Sequence, residues 1–185
     1  MGEENTMKRS EMNRCVEKAL TYYEKANIIL TDAEKANIEV ADFGLNRVEN
    51  VGLQLLTYIN TDRVCAKEMV LFPYQSCPEH RHVGTGTELG KEECFRCRYG
   101  KVLLYVEGEG KAEDIQGRIP QTDVTVFHEI VLNPGEQYVI YPGTLHWFQA
   151  AEEGAVISEF STHSTDETDV FTDKDIVRIP TIEND

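Results

Sequence analysis

Basic residues are scarce in this chain. Its 185 residues hold 18 lysines and arginines against 33 aspartates and glutamates, a formal charge of -15, and nowhere do the basic residues gather into a cluster. Attraction to a phosphate backbone or an anionic lipid surface therefore has no electrostatic footing, which argues against nucleic acid and membrane surfaces as partners. Long apolar runs are missing too. None approaches the roughly 20 residues needed to cross a bilayer, and the opening MGEENTMKRSEMNR lacks the apolar core of a signal peptide, so a cytoplasmic location is expected. The five cysteines (Cys15, Cys65, Cys77, Cys94, Cys97) make an odd count in a chain of ample size, which argues for reduced thiols rather than a disulfide framework. Cys94 and Cys97 form a C-x-x-C pair, but strand alternation turns them to opposite faces, which favours packing over zinc or redox chemistry. No low-complexity run or short-period repeat interrupts the sequence.

What is present reads as one domain, since the length suffices for one good core and would leave two cramped. Ser10 is placed to cap a helix running to about Glu24, because Met12, Val16, Ala19, Leu20 and Tyr23 recur at three- and four-residue steps. Thr31 and Glu34 have capping-box spacing at a second, short helix. From Ile38 the helical period ends. Alternation at Ile38, Val40 and Asp42, then runs over 53–59, 64–72, 78–82, 92–99, 102–107, 124–132, 137–141, 146–150 and 156–161, predict successive short strands separated by turn residues. Such spacing defines an all-β sandwich or barrel, with residues 1–36 as a helical segment packed on it and residues 37–185 as the barrel with a C-terminal extension. Residues 108–121 read as a surface excursion. The tail from Ser164 alternates acidic residues with Val170, Phe171, Ile176, Val177 and Ile179, and is expected to pack back across the sheet or to contact a partner chain.

The chemistry concentrates in PEHRHVGTGTELGKEECFRCRYG, residues 78–100. Residues two apart on a strand share a face, so His80 and His82 aim both imidazoles one way and turn Arg81 the other. The same alternation puts Glu93, Phe95 and Cys97 on one face and Cys94, Arg96 and Arg98 on the other. In PGTLHWF, His146 follows a Pro142-Gly143 turn and opens another apolar strand. Three of the five histidines thus fall in two compact segments beside a carboxylate, a pattern that fits metal ligation. Glu92 competes with Glu93 for the carboxylate position, but only Glu93 has six residues between itself and Gly100 and the alternation behind it.

These segments resemble the paired motifs of the cupin superfamily: H-x-H, then Glu, six residues and Gly, followed by Gly135, Gly143 and His146 at the second motif's offsets. Two departures stand out. Ten residues separate His82 from Glu93 where many cupins have three or four, the insertion VGTGTELG lengthening a loop at the barrel mouth, and Pro142 directly precedes Gly143 instead of standing two before it. Within cupins, PEHRH, KEECFRCRYGKVLLYVEG, LNPGEQYVIYPGTLHWFQA and GAVISEFSTHSTDETDVFTD are similar to the D-lyxose isomerases, over roughly residues 38 to 179. The resemblance implies an all-β, jelly-roll-like single-domain cupin with N-terminal helices. It also implies a metal-dependent aldose-ketose isomerase interconverting D-lyxose and D-xylulose, with D-mannose and D-fructose as a further pair, through a metal-stabilised enediol. Its cofactor would be a divalent metal, commonly manganese, with zinc, cobalt or iron(II) as alternatives. His80, His82, Glu93 and His146 would hold it.

Such chemistry needs a general base within hydrogen-bond reach of the sugar. Glu159, in VISEFS on the strand after His146, is the candidate, its bland alternative being a solvent-facing strand residue. Lys91 shares the face of Glu93 by parity and is placed to hydrogen-bond the sugar's O1 or O2, or to be a solvated loop lysine. Trp147 and Phe148 have opposite parity, so one of them is placed to stack against a sugar face, the alternative being that both are core. The acidic run Asp166, Glu167 and Asp169 reads as a solvated face. An iron dioxygenase cupin, a sugar-phosphate isomerase and a non-catalytic sugar-binding cupin are the rival functions. The phosphate reading is disfavoured because Arg96 and Arg98 face away from the metal side. A sugar substrate and a homodimer, the commonest oligomer, are the expected partners.

Overall fold

The protein is described here by a computed structural model covering residues 6–84, 86–87 and 89–185; the start of the N-terminal segment and two positions of the 83–90 insertion lie outside the described residues. In chain order the elements are β1 (Thr6–Lys8), α1 (Arg9–Lys25), α2 (Asp32–Lys35), β2 (Glu39–Ala41), β3 (Leu53–Asn60), β4 (Cys65–Leu71), β5 (Ser76–Arg81), β6 (Glu93–Val106), β7 (His128–Leu132), β8 (Gln137–Ile140), β9 (His146–Ser161), β10 (Val170–Phe171) and β11 (Thr181–Glu183). Nine strands form one curled sheet in the order β10-β5-β9-β4-β3-β2, with β6 added along β9 and β7 and β8 added along β6. Every pairing in it is antiparallel. This is the all-β architecture that the strand spacing predicts.

The alternation of each strand divides its side chains between two layers. Inside the curl, Leu53, Leu55, Met69, Phe95, Cys97, Val102, Leu104, Phe148 and Ile157 form the main core. Outside, Leu56, Val70, Phe72 and Val156 lie under α1, which contributes Cys15, Ala19, Tyr22 and Tyr23. The helical period had identified Ala19 and Tyr23; Met12, Val16 and Leu20 are only partly buried at its margin. Tyr23 also donates its hydroxyl hydrogen bond to the Glu68 carbonyl at 3.2 Å, tying the helix to β4.

Three expectations are corrected. Ser10 does not cap α1: Lys8 occupies the cap position without a side-chain bond, and Ser10 sits within the first turn, where its N–H bonds the Asp185 carboxylate at 3.1 Å and its hydroxyl bonds the same group. First-turn N–H groups have no intrahelical acceptor, and the parallel pairing of β1 with β11 brings the last residue there. The capping box of Thr31 and Glu34 is present as expected. Second, the strands expected at 92–99 and 102–107 are one strand, β6, and those at 146–150 and 156–161 are one strand, β9. Their pairing survives register shifts at Cys97/Tyr99 and Gly100/Val102, with the irregularity carried by Gly100 and Gly154, at φ 69° and 77°. Third, residues 124–127 are not strand. The N–H groups of Thr125 and Val126 donate to the Glu79 carboxylate at 2.7 and 3.0 Å instead of to a neighbouring strand, and β7 begins at His128. The excursion at 108–121 lies at the surface as expected, and is tethered there: Gly117 N–H donates to the Tyr105 hydroxyl and Arg118 N–H to Gln149.

The tail packs back across the sheet. β10 pairs with β5, Phe171 opposite His80, and Val177 N–H donates to the Phe43 carbonyl at 2.9 Å. No helix among the described residues is long and apolar enough to cross a membrane.

Gly100 has a positive φ, and an added Cβ would overlap the Gly154 carbonyl and crowd the Ala155 backbone. Gly100→Ala is therefore expected to destabilise the protein by about 1–3 kcal/mol, read as a lowered urea midpoint; an unchanged midpoint would contradict the close approach of β6 and β9.

Candidate metal centre

The site lies inside the curl, where β5, β6 and β9 meet the returning tail. β5 and β9 pair so that His80 stands opposite His146, and the two-residue step carries His82 to the same side. Ring centroids are 4.9 Å apart for His80 and His82, 4.3 Å for His80 and His146, and 5.4 Å for His82 and His146. Each ring offers a nitrogen within 4.8 Å of the others. Arg81 faces outward, toward Glu107 at 3.9 Å, as alternation requires.

What each ring does with its other nitrogen decides what the cluster can bind. His80 Nδ1 is 2.8 Å from the Pro78 carbonyl, His146 Nδ1 is 3.0 Å from the Thr144 carbonyl, and His82 Nδ1 is 2.5 Å from the Asp169 carboxylate. An acceptor at Nδ1 fixes the proton there and frees Nε2 as a ligand, the usual outer support of a metal-binding imidazole. Glu93 Oε1 stands 3.3 Å from His82 Nε2 and 3.1 Å from His146 Nε2. The latter distance lacks the alignment of a hydrogen bond, and His146 Nε2 is buried with no hydrogen-bond partner. A buried, unpaired nitrogen beside two further imidazoles and a carboxylate is a donor set suited to a divalent cation.

Glu93, rather than Glu92, is the carboxylate brought in: Glu93 is buried and Glu92 is exposed. Lys91, also buried, places Nζ 2.7 Å from Glu93 Oε2 and 2.9 Å from Glu159 Oε1. Glu159 is buried as well, opposite Phe95 on β6 and Lys67 on β4, and also accepts from Ser161 at 3.1 Å. The solvent-facing alternative for Glu159 and the solvated alternative for Lys91 are thereby set aside. Phe148 lines the cavity, while Trp147 is fully buried on the other side, stacked on Tyr105 at 3.8 Å.

Reading the acidic run as a solvated face holds only for Glu167. Asp169 supports His82, and Asp166 ion-pairs with Lys67 at 2.5 Å, Arg178 at 3.3 Å and Lys91 at 3.5 Å. Lys67 and Arg178 line the same cavity and had no signal in the local sequence. Lys67 lies on a strand whose parity alone gives no reason to separate it from other surface lysines. Arg96 and Arg98 do face away, bonded to Gln137 and Ser158.

These charges hold one another. For Glu93, burial opposes ionisation, but Lys91 and then His82 outweigh it and hold the carboxyl well below its ordinary range. For Lys91, burial is likewise outweighed, by Glu93, Glu159 and Asp166, and its pKa rises. Burial opposes charge on His82 too, yet Glu93 and Asp169 raise it to about 9. His80 moves the opposite way, driven down by burial and by the neighbouring His146 and His82. For Asp169 burial prevails and the pKa is raised despite His82.

A curled antiparallel sheet with a cluster of three histidines inside it defines a cupin-like protein with a candidate metal site. Similarity to known proteins narrows the class. The family model for D-lyxose isomerase matches residues 29–185. A D-lyxose/D-mannose isomerase of Thermosediminibacter oceani is 61% identical, covering 96% of this chain and 99% of its own length. A D-lyxose ketol-isomerase of Cohnella laeviribosi is 54% identical over 97% and 100%. The chain belongs to the D-lyxose isomerase family. Among solved structures, the L-ribose isomerase of Cellulomonas parahominis superposes with a TM-score of 0.75 at 14% identity, over 98% of this chain and all of its own; that of Acinetobacter sp. DL28 also gives 0.75 at 14% identity, over 97% and 99%. At this identity they share the fold.

Below about 9 the His82 ring carries two protons, and a cation at Nε2 displaces one of them. Loading a divalent cation at pH 7 is therefore expected to release about one proton per site, with apparent affinity rising with pH until about 9 and levelling above. Calorimetric titration in buffers of different protonation enthalpy measures the release, and its absence would remove His82 from the ligand set.

Proposed function

We propose that this chain is a metal-dependent aldose-ketose isomerase that interconverts D-lyxose and D-xylulose, and D-mannose and D-fructose, with His80, His82, Glu93 and His146 holding a divalent cation, Mn2+ by preference. The observation that carries the reading is the arrangement of Lys91 between Glu93 and Glu159, directly beside three imidazoles whose Nδ1 atoms are all engaged. It joins a cation site to a buried carboxylate in one cavity. We further propose that the protein acts in the cytoplasm as a homodimer.

Isomerisation moves the C2 proton to C1 and the O2 proton to O1. A bound divalent cation supplies Lewis-acid stabilisation of the negative charge that builds on those oxygens. Glu159 takes the proton at C2 and returns it at C1; its neighbours Lys91 and Ser161 hold its Oε1 in place. Lys91 donates to the sugar oxygens as their charge grows, while its contact with Glu93 keeps that carboxylate turned toward the histidines. Phe95, Phe148 and Phe171 line the cavity and exclude water from the reacting carbons.

A neutral sugar suits the cavity better than a sugar phosphate. Its lining includes three cations, Lys67, Lys91 and Arg178, and four carboxylates, Glu93, Glu159, Asp166 and Asp169. Each of the three cations is ion-paired. A phosphate would need unpaired donors converging on it.

The test is to strip the protein of metal, restore manganese, cobalt, zinc or iron(II) separately, and follow D-lyxose, D-mannose and D-xylulose without oxygen. Metal-dependent conversion is expected, and Glu159→Gln is expected to lower kcat by about 10²–10⁴-fold while leaving metal stoichiometry unchanged. Turnover that stops without oxygen would point to a dioxygenase, and stoichiometric metal binding with no turnover to a sugar-binding cupin.

A further inference from the structure

Three charges, buried Lys67 and partly buried Asp166 and Arg178, are left without a role by the proton transfer. Their side chains are 4%, 20% and 12% exposed. A chain of ion pairs runs from the metal-site carboxylate to them and on to the surface: Glu93 to Lys91 at 2.7 Å, Lys91 to Asp166 at 3.5 Å, Asp166 to Arg178 at 3.3 Å, and Arg178 to Glu39 at 2.5 Å. Lys67 joins it at Asp166 and stands 3.9 Å from Glu159. The sheet order gives the same direction, with His80 on β5, His146 and Glu159 on β9, Lys67 on β4, Leu55 on β3 and Glu39 on β2. If C1 and C2 lie between the histidines and Glu159, as the isomerase reading requires, the remaining carbons of the sugar run toward Lys67, Asp166 and Arg178.

The same three residues also line a second cleft, which extends to Glu39, Thr57, Asn60 and Ile179. They are thus a partition with space on both sides, about 30 Å³ on the metal side and about 130 Å³ behind. The partition's chemistry fits a hydroxyl: Lys67 and Arg178 donate, Asp166 accepts, and all three are held by one another.

We infer that the Lys67-Asp166-Arg178 partition is the specificity wall of the sugar site, binding the terminal hydroxyl of the sugar and setting the preference between five- and six-carbon substrates. D-lyxose and D-mannose share their configuration from C2 to C4 and differ by one CH2OH at the end of the sugar remote from C1 and C2. The inference rests on the isomerase reading. It gives Arg178 a positioning and selecting role, with no part in proton transfer.

The test compares kcat/KM for D-lyxose and D-mannose in the manganese-loaded wild type, Arg178→Ala and Arg178→Lys, and adds 5-deoxy-D-lyxose as a wild-type substrate. Arg178→Ala is expected to shift the D-mannose to D-lyxose ratio by about tenfold or more, mainly through KM, with Arg178→Lys restoring most of it. The wild type is expected to handle 5-deoxy-D-lyxose about tenfold or more worse than D-lyxose, because the hydrogen bonds between the terminal hydroxyl and the charged wall are lost. A ratio unchanged within about twofold, or an equal loss for both sugars, would overturn the wall. Should Arg178→Ala fail to fold, the deoxy sugar decides alone, and equal kcat/KM for it overturns the wall. No wild-type conversion of either sugar would remove the isomerase reading and the wall with it.

Discussion

The pairing of Lys91 with both Glu93 and Glu159 is the contact on which the interior of this protein depends. A buried charge is tolerated only when matched and hydrogen-bonded, and here four buried charges, Lys67, Lys91, Glu93 and Glu159, share one cavity with three partly buried ones, Asp166, Asp169 and Arg178. Removing one partner from such a pair typically costs about 3–5 kcal/mol, because the other is left unmatched. Lys91 satisfies Glu93 and Glu159 at once, which holds the two carboxylates at a fixed separation. Asp166 then satisfies Lys91, Lys67 and Arg178 from the tail, so the C-terminal segment is bound to the site by charge as well as by β10.

That arrangement requires a scaffold that delivers charged side chains from distant parts of the chain to one place. β9 does this. Its first half lies against β5 and sets His146 opposite His80; its second half lies against β4 and sets Glu159 opposite Lys67; β6 runs beside both and supplies Glu93 and Phe95. Gly100 and Gly154 let the two long strands bend together without parting, which is why the three histidines and Glu159, separated by half a strand, still face the same cavity. The outer layer under α1 closes the opposite face of the same strands, so the curl is supported from both sides.

Much of the centre was legible because strand alternation is a local rule. His80 with His82, and Glu93 with Phe95 and Cys97, needed only the two-residue period, and Lys91 followed by parity. Glu159 needed the further assumption that its strand lies beside that of His146, which proved to be one continuous strand. What stayed illegible depends on register or on chain return. Lys67 enters the site only because β4 pairs with β9 in a particular alignment. Asp166 and Asp169 sit in an acidic run that by composition belongs in water, and only the docking of the tail turns them inward. The Ser10 misreading has the same origin, since the acceptor for the first turn of α1 comes from the other end of the chain.

The central claim is that three imidazoles, each held at Nδ1, and Glu93 together form a cation site. A crystal structure of the manganese-loaded protein, with the ion located by anomalous scattering, tests it most directly. The account predicts the ion on Nε2 of His80, His82 and His146 and on the Glu93 carboxylate, with Pro78, Asp169 and Thr144 still bonded to the Nδ1 atoms. An ion held instead by Asp166 and Asp169, or bound through Nδ1 of any of these histidines, would contradict it.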